Sequence, residues 1–426
     1  LFHSSYGPAI NATTDSRIFM NSGAGVFNEA WPWINGAGDI RTHSIDLDLM
    51  DLDGDFDIDV YMSSRNSQCR TYLNNKYAPI SASLFHDVTQ TALIGQGIVL
   101  TGSNNYESEY HDLDGDGDFD IWNKNLNGNL DRIARNNGLT GGIYTFTQMN
   151  GWIVGDPNQD ENEVDFIDYD GDGDVDTFIA NFVGTNWLYQ SGIAQGLTGA
   201  QGFYHRTGGG GSLAAAFNET PLNNNGNTTL DADAVDIDND GDDDLIVSND
   251  GNQQNFLNTN TLGVPDTHAP TFYQVTNQGN KANGSSTVIH AAIRDHTSYY
   301  VMQFYDADLV YTVNGGSPIT VSMFAQGSMQ YRGVIPAQTD AEVAYHVEVT
   351  DRGGNTGVSG TTSFDQGTPG GSPWTDLGFA LSGVSGNPLL VGTGALTIGS
   401  AGTLTLSNAA PSALTYLFIS LSSTPV

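Results

Sequence analysis

Four stretches of this chain place an aspartate at every second position over nine residues. They read DLDGDFDID from residue 51, DLDGDGDFD from 112, DYDGDGDVD from 168 and DIDNDGDDD from 236. Carboxylates so spaced repel by roughly 1 kcal/mol per close pair even in water. The starts lie 61, 56 and 68 residues apart. A recurring unit of that size is the mark of a repeat architecture. Each unit must also hold something that offsets the repulsion.

Oxygen-rich loops with glycine at the sharp turn suit a hard cation. Calcium takes six to eight oxygens at about 2.3–2.6 Å, in a geometry more flexible than magnesium accepts. The first three alternate carboxylates of each loop are expected to converge on one ion, and the ninth residue to close the shell. By analogy with other loops of alternating aspartates, the seventh residue is expected to offer its backbone carbonyl. A merely solvated acidic run is disfavoured, because every loop leads straight into an apolar stretch: VYM after Asp59, IW after Asp120, TFIA after Asp176 and LIV after Asp244. An EF-hand needs an acid at position twelve, where this chain has Met62, Asn123, Ile179 and Val247.

The remainder of each unit reads as strands. TYLNN (71–75), IARNN (133–137), NWLYQ (186–190) and NFLNT (255–259) follow the loops. Aromatic strands come next, at LFHDVT (84–89), YTFTQM (144–149) and GFYHRT (202–207), and a further strand leads into the next loop, as in HSIDLDLM and NEVDFI. About four antiparallel strands per unit cannot bury both faces alone. Radial stacking into a β-propeller is the usual solution.

In this order of elements the chain resembles the FG-GAP/VCBS-type repeats of integrin-α-like propellers and of many secreted bacterial proteins. The resemblance covers roughly residues 1–262. It implies a calcium-bearing propeller of about five blades, with about four Ca2+ ions, one per loop, exposed on one rim. Carried over residue by residue, the ligands are Asp51, Asp53, Asp55 and Asp59; Asp112, Asp114, Asp116 and Asp120; Asp168, Asp170, Asp172 and Asp176; and Asp236, Asp238, Asp240 and Asp244. Asp57, Asp118, Asp174 and Asp242 supply carbonyls. The literal Phe-Gly and Gly-Ala-Pro signatures are absent. RIFMNSGAGVFNEA (17–30) matches the later half of a repeat with no loop before it, so the chain is expected to begin inside a blade, with five blades here or further blades upstream of Leu1.

Beyond residue 262 the pattern changes. VPDTHAPTF (264–272) reads as a linker, and about seven strands follow to residue 366, an immunoglobulin-like or fibronectin-like sandwich. Val343, Tyr345, Val347 and Val349 share one strand face, and a hairpin turns at Asn314 and Gly315. Residues 373–426 contain one charged residue, Asp376, and read as a small C-terminal β module. The expected fold class is all-β: propeller, sandwich and module.

Forty-nine acidic against 13 basic residues give a net charge of −36, which excludes nucleic acid and anionic membrane as partners. No apolar run is long enough for membrane insertion. One cysteine, Cys69, permits no internal disulfide, so bound metal is the available stabiliser outside the cell. No catalytic constellation is found. The nine histidines are scattered, and His86, His111 and His205 read as packing or surface residues. Trp31, Trp33, Trp122, Trp152, Trp187 and Trp374 read as buried aromatics rather than sugar platforms. The expectation is a non-catalytic structural or adhesion protein, secreted or on a bacterial surface. It self-associates through its terminal β elements or meets other surface proteins, and is a candidate subunit of a fibre or filament. The alternatives are a lectin-like propeller binding glycans and, third, a secreted polysaccharide-acting enzyme.

Overall fold

In a computed structural model, residues 2–3, 16–29, 34–35, 44–64, 68–74, 85–98, 105–125, 130–140, 143–149, 151–154, 160–184, 186–192, 203–205, 217–220, 228–367, 389–393 and 403–407 are described. Each Asp-rich loop reverses the chain between two antiparallel strands, and the reversal needs left-handed backbone at its fourth residue. Glycine supplies it in three loops, with φ of 77° at Gly54, 75° at Gly115 and 67° at Gly171. In the fourth loop Asn239 takes φ 61°, as asparagine tolerates best after glycine.

The strands entering the loops are Ser44–Met50, Asn105–His111, Asp160–Ile167 and Thr229–Val235. The strands leaving them are Asp59–Ser64, Asp120–Asn125, Asp176–Val183 and Asp244–Asn249. Third strands run over Arg70–Asn74, Arg132–Thr140, Trp187–Ser191 and Phe256–Asn260. In three sheets the fourth strand follows in the chain, at Phe85–Asp87, Ile143–Gln148 or Phe203–His205. The last sheet differs. Its outer strand, Phe217–Thr220, comes from upstream of the loop, because after Asn260 the chain leaves for the next region. A three-stranded sheet of Phe2–His3, Arg17–Asn21 and Phe27–Glu29 precedes them all. Short parallel strands at Ile34–Asn35 and Ile153–Val154 extend two sheets, where purely antiparallel pairing was expected.

The entering strands of successive sheets pack side by side, from Ser44–Met50 through Asn105–His111 and Asp160–Ile167 to Thr229–Val235. Apolar clusters fill the spaces between sheets. Leu113, Trp122, Ile133, Trp152, Val164, Phe166 and Tyr189 form one, which buries two of the tryptophans as expected. Trp31, Trp33 and Trp374 lie outside the described residues. The chain is all-β, in several small sheets none of which closes on itself among the described residues. Helical turns at Thr89–Ala92, Ile94–Gln96 and Tyr299–Met302 were not anticipated.

Residues 271–366 form two further antiparallel sheets. Val343, Tyr345, Val347 and Val349 are buried on one face of the strand Ala341–Thr350, as their alternation requires. Asn314 and Gly315, both at positive φ, turn the hairpin that pairs Asp306–Val313 with Ile319–Ser322. Of the C-terminal module, a hairpin of Leu389–Thr393 with Thr403–Ser407 is described, and the rest of that expectation lies outside the described residues.

The expected exposed rim is not observed. The segment after residue 262 and the two sheets beyond it lie across all four loops. Gln330 Nε2 donates to Asp51 Oδ2 (2.7 Å), and Asp51 N donates to Ser328 Oγ (2.7 Å). Arg294 Nε donates to the Gly117 carbonyl (2.8 Å), and its guanidinium lies 3.8 Å from the centre of the Phe119 ring. Asp266 N donates to the Gly241 carbonyl (2.8 Å). Val264 approaches Gly171 so closely that a Cβ there would sit 2.5 Å from Val264 Cγ1. The apolar core is continuous across the junction, where Tyr110 stacks on Tyr299 at 4.6 Å between ring centres. The segment expected as a linker, 264–272, thus packs on the third and fourth loops through Val264 and Asp266.

Candidate metal centres

Hydrogen-bond accounting separates the aspartates of each loop into distinct roles. The first accepts backbone N–H groups and builds the turn. Asp51 Oδ1 accepts from Gly54 N (2.9 Å) and Asp55 N (3.1 Å), and its Oδ2 from Phe56 N (3.0 Å). Asp112 accepts from Gly117 N, Asp168 from Asp172 N and Gly173 N, and Asp236 from Asn239 N and Gly241 N. The fifth makes a smaller turn on the seventh: Asp57 N donates to Asp55 Oδ1 (2.9 Å), and the bond recurs at Asp116, Asp172 and Asp240.

The ninth aspartate is buried in every loop and binds the third strand. Asp59 accepts from Leu52 N (2.8 Å) and Asn74 N (2.7 Å), and Asp120 from Leu113 N (3.1 Å) and Asn136 N (2.8 Å). Asp244 accepts from Ile237 N (3.0 Å) and Asn260 N (2.7 Å), and Asp176 from Ser191 N (2.7 Å). These donors are backbone groups; the asparagine side chains beside them bond elsewhere, Asn136 Nδ2 to the Leu52 carbonyl (3.1 Å) and Asn260 Nδ2 to the Tyr169 carbonyl (2.8 Å).

Other oxygens have no such partner. Asp53 Oδ1 and Asp114 Oδ1, both at the third position, are buried with no hydrogen bond among the described residues. So are both oxygens of Asp57 and Asp242 and Oδ1 of Asp118, at the seventh position. The seventh side chain is buried in all four loops, so its carboxylate, and not only its carbonyl, is available inside the loop. The fifth side chain is exposed at Asp55, Asp116 and Asp240.

In the first three loops, positions one, three and nine bring carboxylate oxygens within 4.8 Å of one another: Asp51, Asp53 and Asp59; Asp112, Asp114 and Asp120; Asp168, Asp170 and Asp176. In the fourth loop Asp238 is exposed. Burial and the neighbouring charges push Asp53 up to about 7 and Asp57 and Asp118 to about 8. Burial lifts Asp51 to about 6 and Asp168 to about 8. Those raised to about 7 or 8 keep protons near neutral pH unless a cation replaces them. Donors of oxygen alone, with buried oxygens left over, fit a hard divalent ion. Arg135 is the one basic side chain in an ion pair with a loop carboxylate among the described residues, 3.6 Å from Asp114.

Sequence reasoning missed two further groups. Asp168, His268 and His296 bring ligand atoms within 4.8 Å of one another, and so do Glu107, Glu109 and Glu163. The first lies across the junction and had no local signal. The second had one, since acids recur five and three residues before every loop. Cys69 is fully buried, which pushes its thiol up to about 11, so it is no nucleophile in the folded chain. His111 is buried, with Nε2 3.0 Å from the Thr297 carbonyl, as expected of a packing residue.

No family model and no curated protein matches the chain. A match among solved structures is the extracellular domain of a protein described as a one-component system of B. thetaiotaomicron. It shares 8% identity over 72% of this chain and 42% of that one, with a TM-score of 0.21, a likeness too slight to carry an argument. The chain thus spans less than half of that structure's length. No helix among the described residues is long and apolar enough to cross a membrane.

Proposed function

We propose that this chain is a non-catalytic, calcium-dependent structural or adhesion protein of the bacterial exterior. In this reading the sheets of residues 1–262 are blades of a β-propeller, and the two sheets of 271–366 are an immunoglobulin-like cap. Each Asp-rich loop takes one Ca2+. The observation that carries it is the set of buried loop oxygens without hydrogen bonds, at Asp53, Asp57, Asp114, Asp118 and Asp242, beneath a cap that touches every loop. A metal at that level is internal. It would neutralise the loops and fix the surface on which the cap rests, so its role is architectural. Self-association through the terminal β elements belongs to the same reading.

Calcium counted by atomic spectroscopy after dialysis, together with thermal melts, tests it. About four ions per chain are expected from the loops. Chelator should lower the melting temperature by ten degrees or more, with calcium restoring it better than magnesium. Asp53→Ala and Asp170→Ala should each lose about one ion. Melting that is indifferent to chelator, with no bound calcium, would refute the reading.

A further inference from the structure

The strand that enters each loop carries two acids, five and three residues before the loop begins. They are Asp46 and Asp48, Glu107 and Glu109, Glu163 and Asp165, and Asp231 and Asp233. Residues two apart on a strand share a face, and these four strands lie side by side. The repeat therefore stacks the acids into a second layer, apart from the loops. Seven of the eight line a single cavity of 360 Å3, whose wall is completed by Tyr110 and by Tyr299, Gln303 and Ser328 of the capping region. No lysine, arginine or histidine is among the described residues lining it.

Part of this layer has an ordinary structural use. Ser108 N donates to Asp46 Oδ2 (3.2 Å) and Ser108 Oγ to Asp48 Oδ2 (2.6 Å), while Val164 N donates to Glu107 Oε2 (3.0 Å). Ala234 N donates to Asp165 Oδ2 (2.5 Å). These bonds join each entering strand to the next. Glu109 is different. It is 6% exposed, lines the cavity, and its Oε2 has no hydrogen bond among the described residues. Its near neighbours are carboxylates, and an unpaired carboxylate buried among others is costly unless a cation joins it.

The geometry points to a further divalent-cation site on the common face of the entering strands, held by Glu107, Glu109 and Glu163. Their carboxylate oxygens lie within 4.8 Å of one another, as ligands around one ion of calcium's size do. The cavity leaves room for waters to complete the shell. The site takes a hard cation, because every charged donor is an oxygen. It joins sheets to one another, whereas the loops act within a sheet and toward the cap. Its residues are separate from the loop aspartates, so it stands or falls independently of them.

The test is a terbium-soaked crystal of the full chain, read by anomalous scattering. A peak within bonding distance of Glu109 and Glu163 is expected, in addition to any at the loops. In the Glu109→Gln/Glu163→Gln variant that peak should vanish while loop peaks persist, and bound calcium should fall by one ion per chain. Occupied loops with no peak between the entering strands would overturn the site, as would an unchanged ion count in the variant. Empty loops beside an occupied central peak would refute the loop reading and leave this one standing. The wild-type map decides the matter even if the variant folds poorly.

Discussion

Gly115 and Gly171 occupy the same fourth position of successive loops, at φ 75° and 67°. A Cβ on Gly115 would meet nothing within 4 Å, whereas one on Gly171 would lie 2.5 Å from Val264 Cγ1 and 3.2 Å from the Val264 carbonyl oxygen. Alanine at either position bears the left-handed cost of roughly 1–2 kcal/mol. At Gly171 it must also displace the segment that crosses the loop, an overpacking term of roughly 1–3 kcal/mol. Gly115→Ala should therefore cost about 1–2 kcal/mol and Gly171→Ala about 2–5 kcal/mol. Urea denaturation in excess calcium, followed by tryptophan fluorescence, reads both. In a Val264→Ala background the excess at Gly171 should largely disappear, because the colliding methyl is gone. Equal losses for the two glycine variants, or no relief from Val264→Ala, would refute the seating of residues 264–266 on the third loop.

Asp120→Ala removes the acceptor shared by Leu113 N and Asn136 N, and in calcium it should cost roughly 2–4 kcal/mol. An unchanged urea midpoint would contradict that role. Burial holds Asp295 up at about 7 against its ordinary 3.8, so the folded chain keeps a proton there that the unfolded chain releases. Stability then falls as pH rises between those values, at about 1.4 kcal/mol per unit. Asp295→Asn should be more stable than the parent by roughly 2–4 kcal/mol at pH 8 and nearly equal to it at pH 4. A difference independent of pH would count against it. Deleting residues 373–426 should abolish any oligomer seen by light scattering while sparing calcium binding, and an oligomer that survives the deletion would exclude the C-terminal module as its joint.

Local features of the fold were legible because local chemistry sets them. Alternating aspartates with glycine at the fourth position fixed where the chain turns, and the apolar residues after Asp59, Asp120, Asp176 and Asp244 marked the strands that leave. Asn314 and Gly315 announced their hairpin through their tolerance of positive φ. The cap's position was not legible. Tyr273, which packs against Gly54 and Gly117, Arg294 and Gln330 reach the loops from more than 150 residues away, and single side chains on ordinary strands leave no periodic trace. The outer strand Phe217–Thr220 was missed for a related reason, since pairing with the far side of a sheet depends on where the chain goes next. The acids of the entering strands stood in plain view. They recur five and three residues before every loop, but nothing within one strand shows that its neighbours in the fold bring these acids together.

The same accounting answers why a loop of nine residues carries five aspartates. Three of them do work that a metal-free turn already requires. The first collects the N–H groups of the turn, the fifth holds the seventh, and the ninth ties the second residue of the loop to the third strand. A turn alone would stop there, because asparagine or serine at the third and seventh positions would bring no charge. Yet aspartate stands at both positions in every loop, with the seventh side chain always buried. In the first loop neither Asp53 Oδ1 nor either oxygen of Asp57 meets a hydrogen-bond donor. Carboxylate oxygens that are buried without a donor and sit among like charges destabilise the fold unless something positive joins them. Positions three and seven are therefore where a structural account of the motif ends and a ligand account begins. Asn at position seven, as Asp57→Asn, separates the two. It keeps the loop's backbone bonds, so metal-free stability should hold or rise, while calcium-dependent stabilisation should fall. If calcium stabilises the variant as much as the parent, the seventh side chain is no ligand, and the backbone carbonyl regains the role first expected of it.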